Sequence, residues 1–336
     1  MGPLIIVNPT AGRGRSLKAL PRFRDIVAQQ DPQPEVRLST CPEDPARWAK
    51  EAAEKARPVY AFGGDGLVHQ IVNAVADKVP CGVLPAGSGN DFARALGLPL
   101  DPIRAWEAIR KGGNTRRVDL GHVTGPQGQT RLFCAVASTG FDSTVNEIAN
   151  RKGGPGGTLR YLSATLTGLR SWKPTSFQLE LTKAPEATTP EIPSPHDKGK
   201  RGKNHEKTPR QLQEAEGAEG AEGAETITEE MTGWMVTVGN SSSYGGGMRV
   251  CPHAELDDGL LDVTLVGDVS RPVFLRVFPL VFIGRHVRHA KVRSLRVQRL
   301  CVAADRPLTC FVDGEEVCPL PVTFQVMPQA LDVLVP

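Results

Sequence analysis

Three glycine-rich runs carry residues that could handle a phosphate. Gly63-Gly64-Asp65-Gly66 sets one carboxylate among three glycines. Glycine leaves backbone N–H groups open to phosphate oxygens, and a helix starting there adds partial positive charge. Asp65 would repel a phosphate but suits Mg²⁺ or its water. The second run is Pro85-Ala86-Gly87-Ser88-Gly89-Asn90-Asp91-Phe92, and the third is Asn8-Pro9-Thr10-Ala11-Gly12-Arg13-Gly14. Tight turns are the competing reading for the third run and, less easily, for Gly-Gly-Asp-Gly, which has more glycine than a turn requires. Asp257-Asp258-Gly259 and Asp313-Gly314-Glu315 each read as a hairpin turn edged by carboxylates. No run fits Gly-x-x-x-x-Gly-Lys-Ser/Thr, and the protein-kinase signature set and Gly-x-Ser-x-Gly are absent, which argues against P-loop enzymes, protein kinases and α/β-hydrolases.

The elements around these runs predict where they point. Leu4 to Asn8, Val36 to Ser39, Val59 to Phe62 and Gly82 to Leu84 are short apolar or β-branched strands. Between them Ser16 to Gln30, Asp44 to Ala56 (Asp44 as N-cap, Pro45 at N1) and Leu67 to Asp77 have helical spacing. Repeated β-α-β units make a doubly wound parallel α/β domain, with all three runs at the carboxyl edge of the sheet, where such folds bind ligands. A short helix is expected at Phe92 to Leu96. Beyond Arg117 the pattern becomes Arg131 to Ala137, Phe177 to Thr182, Trp234 to Val238, Leu261 to Val266, Val292 to Val297, Leu308 to Val312 and Val322 to Val326. Such spacing predicts an antiparallel β-sandwich or barrel. The expected domains are residues 1–116 and 117–336, divided near Gly112 to Arg117, with the extreme C-terminus packing back on the first. Residues 184–230, rich in Pro, Lys, Glu and Gly, read as a disordered insertion, with tethering to anionic lipid through its basic half as the alternative.

Composition narrows the partners. A formal charge of +3 from 40 basic and 37 acidic residues gives no reason to expect nucleic acid. Seven scattered cysteines without a Cys-x-x-Cys pair read as buried thiols in a reducing cytosol. The N-terminus reads as a first strand rather than a signal peptide, and no apolar stretch is long enough to span a bilayer. Val273 to Arg293 joins an apolar segment to a basic end, either a helix packed on the β domain or an interfacial helix.

Together the motifs resemble the bacterial diacylglycerol-kinase-type lipid kinases, whose wider family includes sphingoid-base and ceramide kinases. The resemblance is carried by NPTAGRG at Asn8, GGDG at Gly63, PAGSGNDFAR at Pro85, YGGGM at Tyr244 with Pro252 and DDGLLDV at Asp257, and VDGE at Val312. It implies ATP contacts at Asn8, Pro9, Thr10, Ala11, Gly12, Thr40, Gly64, Asp65, Gly66, Leu67, Val68, His69, Gln70 and Ser88; the glycine-rich runs themselves add Gly63, Gly87, Gly89 and Asn90. By resemblance Mg²⁺ falls on Asp258, Glu255 and the backbone carbonyl of Leu260, and Glu315 is the proton acceptor, with Asp65 beside it in catalysis. Phosphoryl transfer needs such backbone donors, a hard cation and a base for the attacking alcohol. The implied active site lies in the cleft between the α/β domain and the β-sandwich.

Two positions depart from the diacylglycerol kinase pattern. Leu67 stands where a Thr is usual and Gln70 where a Glu is usual; Leu67 and His69 look like the sphingoid-base branch, while Asn90 to Arg94 looks like the diacylglycerol branch. His69 by itself reads as a surface helix residue rather than a catalytic one. The expected activity is ATP- and Mg²⁺-dependent phosphorylation of a membrane lipid hydroxyl, diacylglycerol first, sphingoid base or ceramide next. An NAD-kinase-type metabolite kinase and a catalytically weakened lipid-binding homologue are the alternatives. The expected location is the cytoplasm with transient contact at the inner membrane face, and a homodimer is left open.

Overall fold

The computed structural model describes residues 2–152, 158–182 and 226–336. Four parallel strands open it: β1 (Leu4–Val7), β2 (Glu35–Leu38), β3 (Val59–Gly63) and β4 (Cys81–Pro85), with order β4-β3-β1-β2. All residues of β1, β3 and β4 are buried, as helices on both faces require. The connecting helices are α1 (Ala11–Val27), α2 (Asp44–Glu54), α3 (Asp65–Val75), α4 (Asp91–Ala95) and α5 (Pro102–Gly112). On α3 the apolar residues Leu67, Val68, Ile71, Val72 and Val75 are buried, the spacing expected from the sequence. Helix α5 was not anticipated, although Asp101 caps it through Ile103 and Arg104 N–H groups and Gly113 ends it at φ 67°.

One correction concerns Asp44. It lies in the first turn of α2 without capping that helix; its carboxylate accepts from Thr40 N–H (2.8 Å), Thr40 Oγ1 (2.9 Å) and Cys41 N–H (3.1 Å). These bonds hold its pKa well below the usual carboxylate range.

The second half is an antiparallel sandwich. Its strands are β5 (Asn114–Thr124), β6 (Thr130–Phe133), β7 (Val136–Gly140), β8 (Thr175–Thr182), β9 (Thr226–Gly239), β10 (Leu261–Gly267), β11 (Val292–Val297), β12 (Arg299–Ala304), β13 (Thr309–Val312), β14 (Glu315–Pro319) and β15 (Val322–Val335). The single strand expected at Arg131 to Ala137 is two, because β6 pairs with β5 and β7 with β9. Two helices interrupt the strands, α6 (Phe141–Lys152) and α7 (Thr158–Ser171), and a third, α8 (Arg271–Val277), leads into 3-10 turns at Phe278–Ile283 and His286–Arg288. Residues 226–230 of the expected insertion belong to β9, paired with β8 as far as Thr226 with Thr182; its remainder lies outside the described residues.

The halves share strands. β15 is antiparallel to β12 and β5 and then pairs parallel with β4 through Val333 and Leu334. The core of the first half accordingly includes Val118, Leu120, Leu331 and Val333 alongside Ile5, Phe62 and Trp106. Among the described residues no helix is long and apolar enough to cross a membrane.

Candidate active site

The carboxyl ends of β1, β3 and β4 bring the three glycine-rich runs together. Ala86 N–H (2.7 Å) and Gly87 N–H (3.1 Å) both donate to Gly63 O. A Cβ on Gly87 would lie 2.4 Å from Gly64 Cα, so these two turns touch backbone to backbone, and only glycine fits. A Cβ on Gly12 would lie 2.1 Å from Ala86 O, and Arg15 Nη2 donates to Gly87 O, which docks the first run on the second. Asn8 Oδ1 accepts from Thr10 N–H (3.0 Å) and Thr10 Oγ1 (2.9 Å), while Gly12, Arg13 and Gly14 all have positive φ. Successive left-handed residues aim their N–H groups to one side, a concavity suited to an anion. Pro9 is half-buried and Ala11 buried beside this turn.

Asp65 is the junction. Its Oδ2 accepts from Asn90 N–H (2.7 Å) and its Oδ1 from Phe92 N–H (3.3 Å), so it ties α3 to the start of α4. Asn90 Oδ1 in turn accepts from Gly87 N–H (2.8 Å). Burial, followed by the neighbouring Asp91 carboxylate, raises the Asp65 pKa to about 6. Asp91, not singled out from the sequence, is 3% exposed; burial raises its pKa, Oδ2 accepts from Gly246 N–H (2.7 Å), and Oδ1 has no hydrogen-bond partner. A Cβ on Gly89 would lie 2.8 Å from Asp65 Oδ2 and 3.0 Å from Asp91 Oδ2, so that glycine admits both carboxylates.

The sandwich supplies the opposite wall. Asp313, at φ 49°, accepts from Ala135 N–H (3.0 Å) and Val136 N–H (3.1 Å) through Oδ1, and from Cys134 N–H (3.0 Å) through Oδ2. The same Oδ2 is 3.1 Å from His69 Nδ1. His69 is 6% exposed, which overturns the reading of a surface residue: it faces the sandwich. One turn later Asn73 exchanges two hydrogen bonds with the Leu132 backbone, 3.0 and 2.9 Å, so α3 is stitched to the second half at two levels. These bonds fix the Asp313-Gly314-Glu315 turn. The Glu315 carboxylate makes no hydrogen bond or ion pair to a described residue, and its Oε1 lies 3.9 Å from where a Gly66 Cβ would be.

A cleft of about 360 Å³ separates these walls, lined by Asp65, Gly66, Val68, Ser88, Gly89, Asp91, Tyr244, Gly246, Gly314 and Glu315, among others. Ser88 is exposed at it, and Gln70 is half-buried further along α3. Leu67 is 3% exposed and would meet a Gly63 Cβ at 2.7 Å, so it supports the turn from the core. Asn8 and Thr40 do not line the cleft, and the Thr40 hydroxyl is committed to Asp44. Tyr244 OH donates to Asp142 Oδ1; both are buried, which raises both pKa values.

The Glu255, Asp258 and Leu260 loop lies outside this cleft. Asp258 Oδ1 accepts from Leu260 N–H (3.0 Å), and Gly259 N–H donates to the buried Asp119 (2.7 Å). Arg296, an unforeseen cation, lies 3.4 Å from Asp258 Oδ2, 3.5 Å from Asp262 Oδ2 and 4.0 Å from Glu255 Oε1. Asp258 Oδ2 and Asp262 Oδ2 are buried without hydrogen bonds, so the loop retains acceptor capacity for a hard cation beside that guanidinium. No group of three or more His, Cys, Asp or Glu among the described residues is arranged as a metal cage. What this site could offer Mg²⁺ is therefore those two carboxylate oxygens, beside one guanidinium.

Comparison with known proteins gives this geometry a family. Residues 3–123 match the diacylglycerol kinase catalytic domain, and residues 135–335 match the YegS C-terminal NAD kinase beta sandwich-like domain. A diacylglycerol kinase of Mycobacterium tuberculosis is 34% identical over 289 residues, 86% of this chain and 80% of that protein. One from Bacillus subtilis is 25% identical over 337 residues, 99% of this chain and 95% of its own. A crystal structure described as a diacylglycerol kinase from Bacillus anthracis shares the fold at a TM-score of 0.68 and 17% identity, covering 100% of this chain and 97% of that one. Two family matches that between them span both halves, and a relative above 30% identity along most of the chain, establish that this protein belongs to the diacylglycerol kinase family of lipid kinases.

Proposed function

We propose that the chain transfers the terminal phosphate of ATP, bound with Mg²⁺, to a lipid hydroxyl, diacylglycerol before sphingoid base or ceramide. The observation that carries this reading is the unpartnered Glu315 carboxylate facing the Gly63-Gly64-Asp65-Gly66 turn across the cleft. In this reading the turns at Asn8 to Gly12, Gly63 to Gly66 and Gly87 to Asn90 hold the phosphates by the backbone N–H groups not already committed within them, such as those of Gly12, Ser88 and Gly89. Asp65 keeps two of those turns in register, and Glu315 accepts the hydroxyl proton as the oxygen attacks phosphorus. Mg²⁺ supplies neutralisation of charge on the transferring phosphoryl group. The Asp258 loop, with Glu255 and the Leu260 carbonyl, is the proposed protein site for Mg²⁺, outside the cleft; if so, Mg²⁺ raises the melting temperature of the wild type but not of Asp258→Asn. Contact with the inner membrane face from the cytoplasm follows from a bilayer-borne acceptor.

The test is labelled ATP with diacylglycerol, ceramide, sphingosine, monoacylglycerol and NAD in mixed micelles. Transfer to a lipid, abolished in Glu315→Gln, supports the reading. Transfer to NAD alone selects a metabolite kinase. Nucleotide binding without any transfer selects a catalytically silent homologue.

A further inference from the structure

Seven large hydrophobic side chains are well exposed among the described residues, and four of them, Leu275, Leu280, Phe282 and Ile283, fall within nine positions. The segment is α8 and the 3-10 turn after it. Its inner side is already spent on the core: Phe274 stacks on Trp234 at 4.7 Å, Phe278 on Phe274 at 5.7 Å, and Val281 is buried. The outer apolar side is therefore surplus to folding. A packed helix with a polar outer face would satisfy the core equally well, so the exposed Phe282 and Ile283 call for a partner.

Charge identifies that partner. Between Asp268 and Asp305 the sequence holds no acidic residue but eight Lys or Arg. Arg271, Arg293, Arg296 and Arg299 are engaged with carbonyls or carboxylates. Arg276, Arg285, Arg288 and Lys291 are exposed and make no ion pair to a described residue. An exposed apolar segment with uncommitted cations within and just after it in the chain matches an anionic bilayer surface, where apolar side chains enter the acyl boundary and cations meet headgroup phosphates.

We infer that the surface from Leu275 to Lys291 is the face with which the protein sits on an anionic membrane. The placement suits delivery. Phe274 packs on Phe141 of α6 at 5.1 Å, and the same helix presents Asn146 and Ala149 to the cleft, so one helix separates the membrane face from the site. The purpose of this face rests on the lipid-kinase reading; its test does not.

The experiment is co-sedimentation of the full chain, without ATP, with vesicles of phosphatidylcholine alone or with about a third phosphatidylglycerol. Binding is expected to anionic vesicles and to fade at high salt, each uncommitted cation contributing roughly fivefold. Phe282→Ser with Ile283→Ser is expected to lower binding about tenfold or more. Arg285→Gln with Arg288→Gln is expected to lower it only on anionic vesicles. All four side chains are exposed, so unchanged melting temperatures verify folding. Wild-type binding by both pairs of variants overturns the inference. So does sedimentation velocity showing a wild-type dimer that Phe282→Ser with Ile283→Ser dissociates, since the patch then belongs to a second copy. Absence of lipid phosphorylation with intact vesicle binding would instead count against the kinase reading alone.

Discussion

His69 Nδ1 and Asp313 Oδ2, 244 positions apart in the chain, meet at 3.1 Å and join α3 to the turn that presents Glu315. Both side chains are buried, at 7% and 4% exposure. Removing the imidazole leaves a buried carboxylate short of one donor. His69→Ala is therefore expected to lower stability by about 1–3 kcal/mol and to reduce turnover more than ATP affinity. His69→Asn, whose amide can donate to the same oxygen, should recover most of both. Urea denaturation and steady-state kinetics of the three proteins check this.

Glu315→Gln keeps the shape and removes the proposed base. Turnover should fall by about 10²–10⁴-fold while ATP binding, measured by calorimetry, stays within about threefold. Equal losses in affinity and turnover would move Glu315 from proton transfer to nucleotide binding.

Asp65 gives a pH signature. Its folded pKa, about 6, exceeds the ordinary carboxylate value of 3.8, so the native state binds the proton more tightly than the unfolded chain. Ionised Asp65 thus destabilises above pH 6, and the penalty disappears as pH falls below the unfolded value. Asp65→Asn should gain stability over the wild type near pH 8, with the gain shrinking toward pH 4. Denaturation midpoints at the two pH values decide, and a gain independent of pH would refute the assignment.

Gly87→Ala drives a Cβ to within 2.4 Å of Gly64 Cα, so the two glycine turns must separate. Overpacking of this kind costs about 1–3 kcal/mol, and nucleotide affinity should fall with it. Gly97→Ala, where nothing lies within 4 Å of the added atom but φ is +70°, is a control for backbone strain alone.

Among the described residues Arg296 is the cation that lies beside Asp258, Asp262 and Glu255, and its side chain is 8% exposed. Arg296→Leu should destabilise by about 3–5 kcal/mol by leaving carboxylates buried without compensation. Partial recovery of the melting temperature by added Mg²⁺ would show that the loop accepts a metal ion.

The α/β half was legible because three of its four strands, β1, β3 and β4, lead into glycine-rich runs, and β3 then leads into a clear apolar period in α3. The sandwich was legible as a class but not in its pairing. Arg131 to Ala137 is a continuous polar-to-apolar run, yet it divides where Cys134, Ala135 and Val136 turn their N–H groups to Asp313, a long-range event that periodicity does not encode. Of the residues lining the cleft, the motifs contain Asp65, Gly66, Ser88, Gly89 and Glu315. They did not find the His69 and Asp313 contact or Arg296, because each depends on a partner more than thirty residues away. Asp91 did stand inside a recognised run; its unsatisfied, buried oxygen is what distinguishes it, and that emerges only on folding.

The crossing strand β15 has a mechanical consequence. It is hydrogen-bonded to β12 at one end and to β4 at the other, with β5 along its length across the same boundary. Two halves tied by paired strands cannot swing about a flexible linker, so opening the cleft by rigid-body hinging would break sheet ladders. The distance between the two halves should therefore stay the same through a catalytic cycle.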